Sequence, residues 1–478
     1  MSKPLYGLGV DLVPTLTVVP FRALLTAMVE AELHPARCRG ILEQAFRGDP
    51  ALEECFDLAE LDAGGPVATA ALLFRYPPAP KWSWTTHQRG PGSRKLPISA
   101  SSVEGVAEIV RAHRRAIDRE EFLAGLGDLD EVLWDDLSRA AESAPTHGTW
   151  PAPREAGIYR REHASVALHS GSACLLTDPT SLSFQWTTNG GASPAEAEDW
   201  SPDAVLVTHT HDDHWHLPSV LWHANGDAPV VVPRVPRTNL LANEDLAASL
   251  QLADQTCVAP SWDAVLRFAD FEVDVLPFFG EQPSVSTAWL SPELRNWGSC
   301  YRVTCPAFSV VVLAESGVDP DGSMVEVLAE SLAKRGPATA ILATTAAFGE
   351  IFNWGLPHYI WTFPFSVLQR TFADYRESRL GSITLGVRGI AEACDAVQAR
   401  YYLPYSNGFT GLGRDPVSPE SGQHTERHLL GQVRELLAAR GSRTEVVDWR
   451  PGDSVHFDGG EVTVARCQAA GDPGGPES

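Results

Sequence analysis

The sequence predicts an α/β protein: a two-sheet αββα sandwich preceded by an α-rich accessory domain that carries a short sheet. Three observations support this. Residues 1–154 are dominated by apolar spacing of helical period. From Gly157 to Ala314 the apolar runs are short and strand-like, and beyond Ser331 strands and helices alternate, an order that suits two packed sheets covered by helices. Finally, one apolar run, Ala204 to Val207, stops abruptly in a cluster of metal-capable side chains. The expected division is an accessory or dimerisation domain at 1–154, a catalytic domain at 155–468 and a disordered tail at 469–478.

The chain has 478 residues, enough for two domains and a large core. Its formal net charge of −24 argues against nucleic acid or an anionic membrane as partner, because a polyanion would be repelled. The eight cysteines are scattered singly with no CxxC, and several lie in apolar runs as buried thiols. The first residues lack a charged stretch followed by an apolar one, and no apolar run is long enough to span a bilayer. A reduced, cytoplasmic protein is expected.

In the accessory domain, Phe21 to Leu33, Ile41 to Phe46 and Leu52 to Glu60 read as helices, with Gly48-Asp49-Pro50 as a break. Ala68 to Tyr76 reads as a strand ending in Pro77 to Trp84, a Pro-rich segment unfit for a sheet interior. Further helices are expected from Ser102 to Ile117 and from Asp130 to Glu142. Scaffolding or dimer contact is the plain role for this domain, and docking a large substrate carrier the sharper one. Beyond it, Gly157 to His169 and Ser172 to Pro179 read as two strands. Pro229 to Pro233, Val265 to Phe279, Cys300 to Cys305 and Phe308 to Ala314 supply more strands, with a helix at Glu244 to Leu252. Then come strand Ala338 to Thr344, helices Phe365 to Arg376 and Val387 to Ala399, strand Tyr401 to Pro404, helix Thr425 to Arg440 and strand Thr444 to Asp448.

The cluster after Val207 has the pattern H-x-H-x-D-H: His209, His211, Asp213 and His214. At a spacing of two, His209 and His211 project to one side of an extended segment and can bite one metal. Asp213 and His214 sit where the chain turns and can reach a second metal a few ångströms away. Without a cation, groups packed this tightly would repel or desolvate one another. A solvated His-rich turn is the plain alternative.

This pattern resembles the metallo-β-lactamase superfamily. The resemblance implies that Asp178, in the Asp178-Pro179 turn, supports the metal ligands from beneath; a simple turn Asp is the alternative. Hydrolase members of that superfamily give the first metal a third histidine, but this chain has Glu281 after the strand Val273 to Phe279. Where they place a bridging Asp, Glu315 follows the strand Phe308 to Ala314. Where they place a last histidine, this chain has Ser406 and Asn407. An exposed loop carboxylate at 281 and an ordinary strand-end Glu at 315 are the plain readings. The metal set that the resemblance implies is therefore His209, His211, Asp213, His214, Glu281 and Glu315.

These departures resemble one branch, the diiron aminoacyl β-hydroxylases of natural-product biosynthesis, typified by the chloramphenicol-pathway enzyme. The H-x-H-x-D-H match is complete and Glu281 agrees with the glutamate of that family; at Glu315 the family uses Asp. The resemblance implies a monooxygenase with two iron ions, O2 as cosubstrate and an external electron donor. Its substrate would be an amino acid tethered to a peptidyl or acyl carrier protein, with a free amino acid or small peptide as the alternative, and the protein a homodimer. Hard carboxylates favour iron or manganese, and the Ser406-Asn407 position leaves coordination space open. Phe278, Phe279, Trp215, Trp297 and Trp354 are candidate pocket walls, more simply core, and His216 and His358 candidate supports of the ligands. Arg111, Arg114, Arg115 and Arg119 are a candidate carrier-docking patch, more simply a solvated helix face. Two other readings stand: a dinuclear zinc or manganese hydrolase, and a non-catalytic binding protein.

Overall fold

The computed structural model describes residues 10–15, 24–74 without 25–26, 81–86, 94–98, 149–179 without 151, 195–196, 200–347 without 212, 225–226, 243, 283, 286–287 and 290–292, 363–407 without 378 and 380, 423–458 and 461–467. The expected helices at Ser102 to Ile117 and Asp130 to Glu142, the four arginines from Arg111 to Arg119, Trp354, His358 and the 469–478 tail lie outside the described residues.

Two sheets face each other. The first has eight strands in the order Cys257–Val258, Val230–Val231, Ala204–Leu206, Cys174–Thr177, Val166–His169, Gly157–Arg160, Ser454–Asp458 and Glu461–Ala465. The second has seven: Val265–Phe268, Phe271–Leu276, Cys300–Thr304, Ser309–Val312, Ala340–Ala343, Tyr401–Pro404 and Glu445–Val446. Side chains alternate across a strand, so the central strands of the second sheet serve two cores. Val310, Val312, Ala340, Leu342, Tyr401 and Leu403 face Ile158, Val166, Leu168, Leu175 and Leu206 of the first sheet. Their neighbours Val311, Ile341 and Tyr402 face outward, against Leu328, Ile390, Cys394, Val433 and Leu437. Those residues belong to helices Met324–Arg335, Gly386–Ala396 and Gln423–Ala439. A strand buried on both faces must be apolar throughout, which is why Ser309–Val312 reads SVVV and Ala340–Ala343 reads AILA. This is the metallo-β-lactamase sandwich that the sequence predicts.

The accessory segment differs from expectation in two places. The run Ala68 to Tyr76 contains a helix, Ala70–Phe74, rather than a strand. Thr69 decides the matter: its Oγ1 accepts from the Ala71 N–H at 3.2 Å and donates to Glu54 O at 2.6 Å, capping the first turn. The strand comes later, at Lys81–Thr86, and is the central strand of a three-stranded antiparallel sheet with Val10–Thr15 and Arg94–Ile98. It begins just beyond Pro80, where backbone N–H donors resume, while Pro14 and Pro97 lie on the edge strands. The expected helix at Leu52 to Glu60 is split into the 3-10 turn Pro50–Cys55 and the helix Leu58–Ala63, which Asp57 caps at the N–H groups of Ala59 and Glu60.

Among the described residues, the accessory helices share their core with the catalytic part of the chain. Met28, Leu33, Cys38, Leu42, Phe56, Leu61 and Leu72 share one cluster with Leu240, Leu241, Leu294, Phe363, Phe365, Leu368 and Ile383. That cluster ends one hydrogen bond from the candidate site, because Ile383 O accepts from the Glu281 N–H at 3.4 Å. Among the described residues no helix is long and apolar enough to cross a membrane.

Candidate metal centre

The site is assembled at one end of the sandwich from the segments that follow the strands. Val207 carries the chain out of the strand Ala204–Leu206, and His209, His211, Asp213 and His214 follow in a tight turn in which the His214 and Trp215 N–H groups donate to His211 O. Glu281 follows the strand Phe271–Leu276, and Glu315 the strand Ser309–Val312. All six residues implied by the resemblance come together.

They form overlapping groups. His209, His211 and Glu281 make one: Glu281 Oε2 lies 3.6 Å from His209 Nε2 and 3.4 Å from His211 Nδ1, and those two nitrogens are 3.0 Å apart. His209, His214 and Glu315 make a second, with Glu315 Oε2 at 2.9 Å from His214 Nε2. A third holds Asp213 and His214 together with His163, a residue the sequence reading passed over. Glu281 is 2 % exposed, so it is not a loop carboxylate in solvent. Glu315 is 4 % exposed and is shared between the first imidazole and the second pair, as a bridging position requires.

Supporting groups fix which nitrogen faces the centre. Asp178 accepts from the Thr208 N–H and from Thr208 Oγ1, each at 2.7 Å, and from His214 Nδ1 at 2.9 Å. Thr208 Oγ1, its proton given to Asp178, accepts from His209 Nδ1 at 3.0 Å. Both rings therefore turn Nε2 to the common space, the arrangement that orients metal-binding imidazoles. Asn296 holds His211 from the other side, its Nδ2 at 3.3 Å from Nε2. Ser406 Oγ donates to the outer oxygen of Glu315.

The electrostatics are those of closely packed, buried titratable groups. Burial pushes the Glu281 carboxyl well above its usual range, and the neighbouring Glu315 charge adds to this. His209 is held well below the ordinary imidazole value by burial and by His214 and His211. Burial also opposes charge on His214, yet Glu315, Asp213 and Asp178 outweigh it and hold that ring well above its usual value. Burial opposes charge on Asp213 and Glu315 as well, yet His214 outweighs it and holds both carboxyls below their usual range, so buried charges of both signs stand close together here. His214 Nε2 and Glu315 Oε2, both buried, face each other as an ion pair at 2.9 Å.

Backbone strain is concentrated here. His163, Asp178, Glu281, Ala314 and Ser406 all have positive φ, between 37° and 57°. Such conformations cost about 1–3 kcal/mol each and persist where the surroundings fix them. The expected aromatic walls act mainly as packing. Phe278 stacks on His209 at 5.1 Å, Trp215 donates to Glu244 at 3.1 Å, and Phe279 and Trp297 lie near the Arg295 guanidinium. His216 is bonded to Ser219. Among the described residues of the cluster, the side chains of His211 and Asp213 are the most exposed, at 22 % and 27 %.

His163 was missed because Gly157 to His169 reads as one alternating strand. The structure breaks it into Gly157–Arg160 and Val166–His169, joined by a turn whose tip is His163. The available signal was the run Arg160-Arg161-Glu162-His163, four polar residues in a row where alternation fails.

Fold and site together define a metallo-β-lactamase-fold protein with side-chain groups that could hold a dinuclear metal centre. Among solved structures, the chain is similar to CmlA, a diiron beta-hydroxylase from Streptomyces venezuelae, at 16% identity and a TM-score of 0.53, over 94% of this chain and 95% of that one. It is also similar to a CmlA beta-hydroxylase mutant, at 20% identity and a TM-score of 0.47, over 76% of this chain and 64% of that one. The metallo-beta-lactamase fold protein YhfI from Bacillus subtilis matches at 12% identity and a TM-score of 0.35, over 65% and 98%. No family model matches the chain, and no curated protein matches its sequence.

Proposed function

We propose that this chain is a non-haem diiron oxygenase that hydroxylates an amino-acid-derived substrate in natural-product biosynthesis, using O2 and electrons from an external donor. The observation that carries this reading is Glu281, buried with its Oε2 3.4 Å from His211 Nδ1 and 3.6 Å from His209 Nε2. A carboxylate where a zinc hydrolase has an imidazole makes the donor set harder and suits iron. The donor set fits two metal ions: His209, His211 and Glu281 would hold one, Asp213 and His214 the other, with Glu315 between them. Bound there, a pair of iron ions would supply O2 reduction and C–H oxidation. Asp178 and Thr208 hold the imidazoles in one tautomer, Phe278 covers the back of His209, and substrate approaches across His211 and Asp213.

The proposed substrate form is an aminoacyl thioester on a carrier protein, delivered to a homodimeric enzyme. The CmlA similarity supports a β-hydroxylase type of reaction by analogy of fold. The experiment is metal analysis and O2 uptake on the purified protein. About two irons per chain, near-ultraviolet absorption of an oxo-bridged pair and O2 consumption after reduction are expected. Stoichiometric zinc, ester or thioester hydrolysis and no O2 uptake would instead make it a dinuclear hydrolase. Supplying candidate amino acids free and carrier-tethered, with light scattering for the oligomer, tests the finer claims.

A further inference from the structure

We infer that His163, at the tip of the first β-hairpin, is a seventh protein ligand of the centre and completes the second metal position. The inference rests on the reading of the cluster as a dinuclear metal site and not on the chemistry performed there. His163 Nε2 lies 3.0 Å from Asp213 Oδ2, and with Asp213 and His214 it forms a group whose ligand atoms are all within 4.8 Å of one another. Its ring meets His214 edge-on, with centroids 5.0 Å apart.

The surroundings hold the ring in place. The turn is closed by Ser165 N–H donating to Glu162 O and by Arg161 N–H donating to Ser165 O, each at 2.9 Å. The hairpin tip is tied to the opposite sheet, because the Ser406 N–H donates to His163 O at 3.0 Å. Ser406 Oγ is also 3.4 Å from His163 Nε2 while it donates to Glu315. The residue that follows the strand Tyr401–Pro404 and Tyr405 therefore does not leave the space beside the second metal position empty. It brings an imidazole from another part of the chain into that space. His163 itself is 5 % exposed and has φ of 48°, so the fold accepts both burial and backbone strain to keep it there.

With His163 included, each metal position has two imidazoles and one carboxylate of its own: His209, His211 and Glu281 at one, His163, His214 and Asp213 at the other, with Glu315 shared. The donor set becomes four imidazoles and three carboxylates. A pair of equivalent environments, rather than one nitrogen-rich and one nitrogen-poor, follows.

The test is metal binding by His163→Ala and His163→Gln, read without any activity assay. Apo-protein is titrated with Fe(II) anaerobically, and with Co(II) as a spectroscopic probe; content is measured by elemental analysis and folding by circular dichroism. The parent should bind two ions. His163→Ala should retain the first and bind the second at least tenfold more weakly, with a changed Co(II) ligand-field spectrum, and added imidazole should restore part of the difference. His163→Gln keeps the bulk and one polar atom at the tip, so it reads the same loss if the alanine variant fails to fold. Two ions bound by a folded variant with unchanged affinity and spectrum would overturn the assignment of His163. A parent chain that binds fewer than two ions would overturn the dinuclear centre itself.

Discussion

Nδ1 of His214 donates to Oδ2 of Asp178 at 2.9 Å, in a place where the ring is 1 % and the carboxylate 0 % exposed. The same carboxylate takes the N–H and the hydroxyl of Thr208, so all three of its contacts are donors. Burial raises the Asp178 pKa, and those donors together with the His214 charge work against the rise. Asp178 thus lies in direct contact with His214, one of the clustered histidines.

Asp178→Asn is the sharp test of that contact. An amide cannot accept from three donors at once, so its NH2 must face either Thr208 or His214. His214 then loses its fixed tautomer, and metal affinity should fall about 10–100-fold while the fold persists. Competition with a chromogenic chelator measures this; unchanged affinity would mean that His214 is oriented by packing alone.

Glu281→His restores the nitrogen donor of the hydrolase pattern. The variant, expressed with equal iron and zinc, should shift its bound metal several-fold toward zinc, because imidazole is the softer ligand. Elemental analysis decides; a metal ratio equal to that of the parent would remove the main support for an iron centre.

Gly280 sets the approach of Glu281. Its φ is +96°, and a Cβ there would lie 2.4 Å from Ile383 O and 2.5 Å from Gly317 N. Its N–H donates to Asp319 Oδ2 at 3.0 Å, and that carboxylate also holds the buried Arg295 at 2.9 Å. Gly280→Ala should lower metal content although every ligand remains. Asp319→Ala should cost about 3 kcal/mol in urea denaturation, since it removes the buried carboxylate partner of a buried guanidinium and leaves the half-exposed Asp321 on it. Stability within 1 kcal/mol of the parent would show that Asp321 suffices.

Glu244 gives a pH signature away from the ligands. Burial raises its carboxyl from 4.5 to about 7, against the lowering effect of Ser249 and Trp215. A folded-state pKa above the unfolded one means that the native state binds the extra proton between these values. Its contribution to stability is thus present below about pH 4.5 and lost as pH rises through about 7. Glu244→Gln should therefore gain on the parent between pH 5 and 8, by at most about 3.5 kcal/mol at about 1.4 kcal/mol per pKa unit. Urea midpoints at the two pH values check this; a constant difference would show that Glu244 is already ionised throughout.

Much of the site was legible because its parts are local. H-x-H-x-D-H places three imidazoles and a carboxylate within six residues, and no distant contact is needed to see that a metal suits them. Glu281 and Glu315 were legible from their order after apolar strands, because the ends of strands in one sandwich converge on one rim. The α/β alternation after Ser331 was legible because strands buried on both faces and helices with one buried stripe write different periods into the chain. Sequence alone thus determined the fold class and named the residues, Asp178 among them, that the structure gathers at one rim.

Tertiary structure decided what no local pattern carries. Thr69 turned an apolar run into a helix through a cap to Glu54, and short apolar runs do not distinguish helix from strand by themselves. The hairpin Ser454–Asp458 and Glu461–Ala465 extends the first sheet because Ser454 pairs with Tyr159 from the far end of the chain. The accessory helices share a core with Phe363 to Ile383, and so with the backbone that holds Glu281. His163 reaches Asp213 because sheet order sets the first hairpin one strand away, across Cys174–Thr177, from the strand that leads to the histidine cluster. Each of these contacts is fixed by burial summed over whole sheets, a quantity that the residues on either side of a position do not contain.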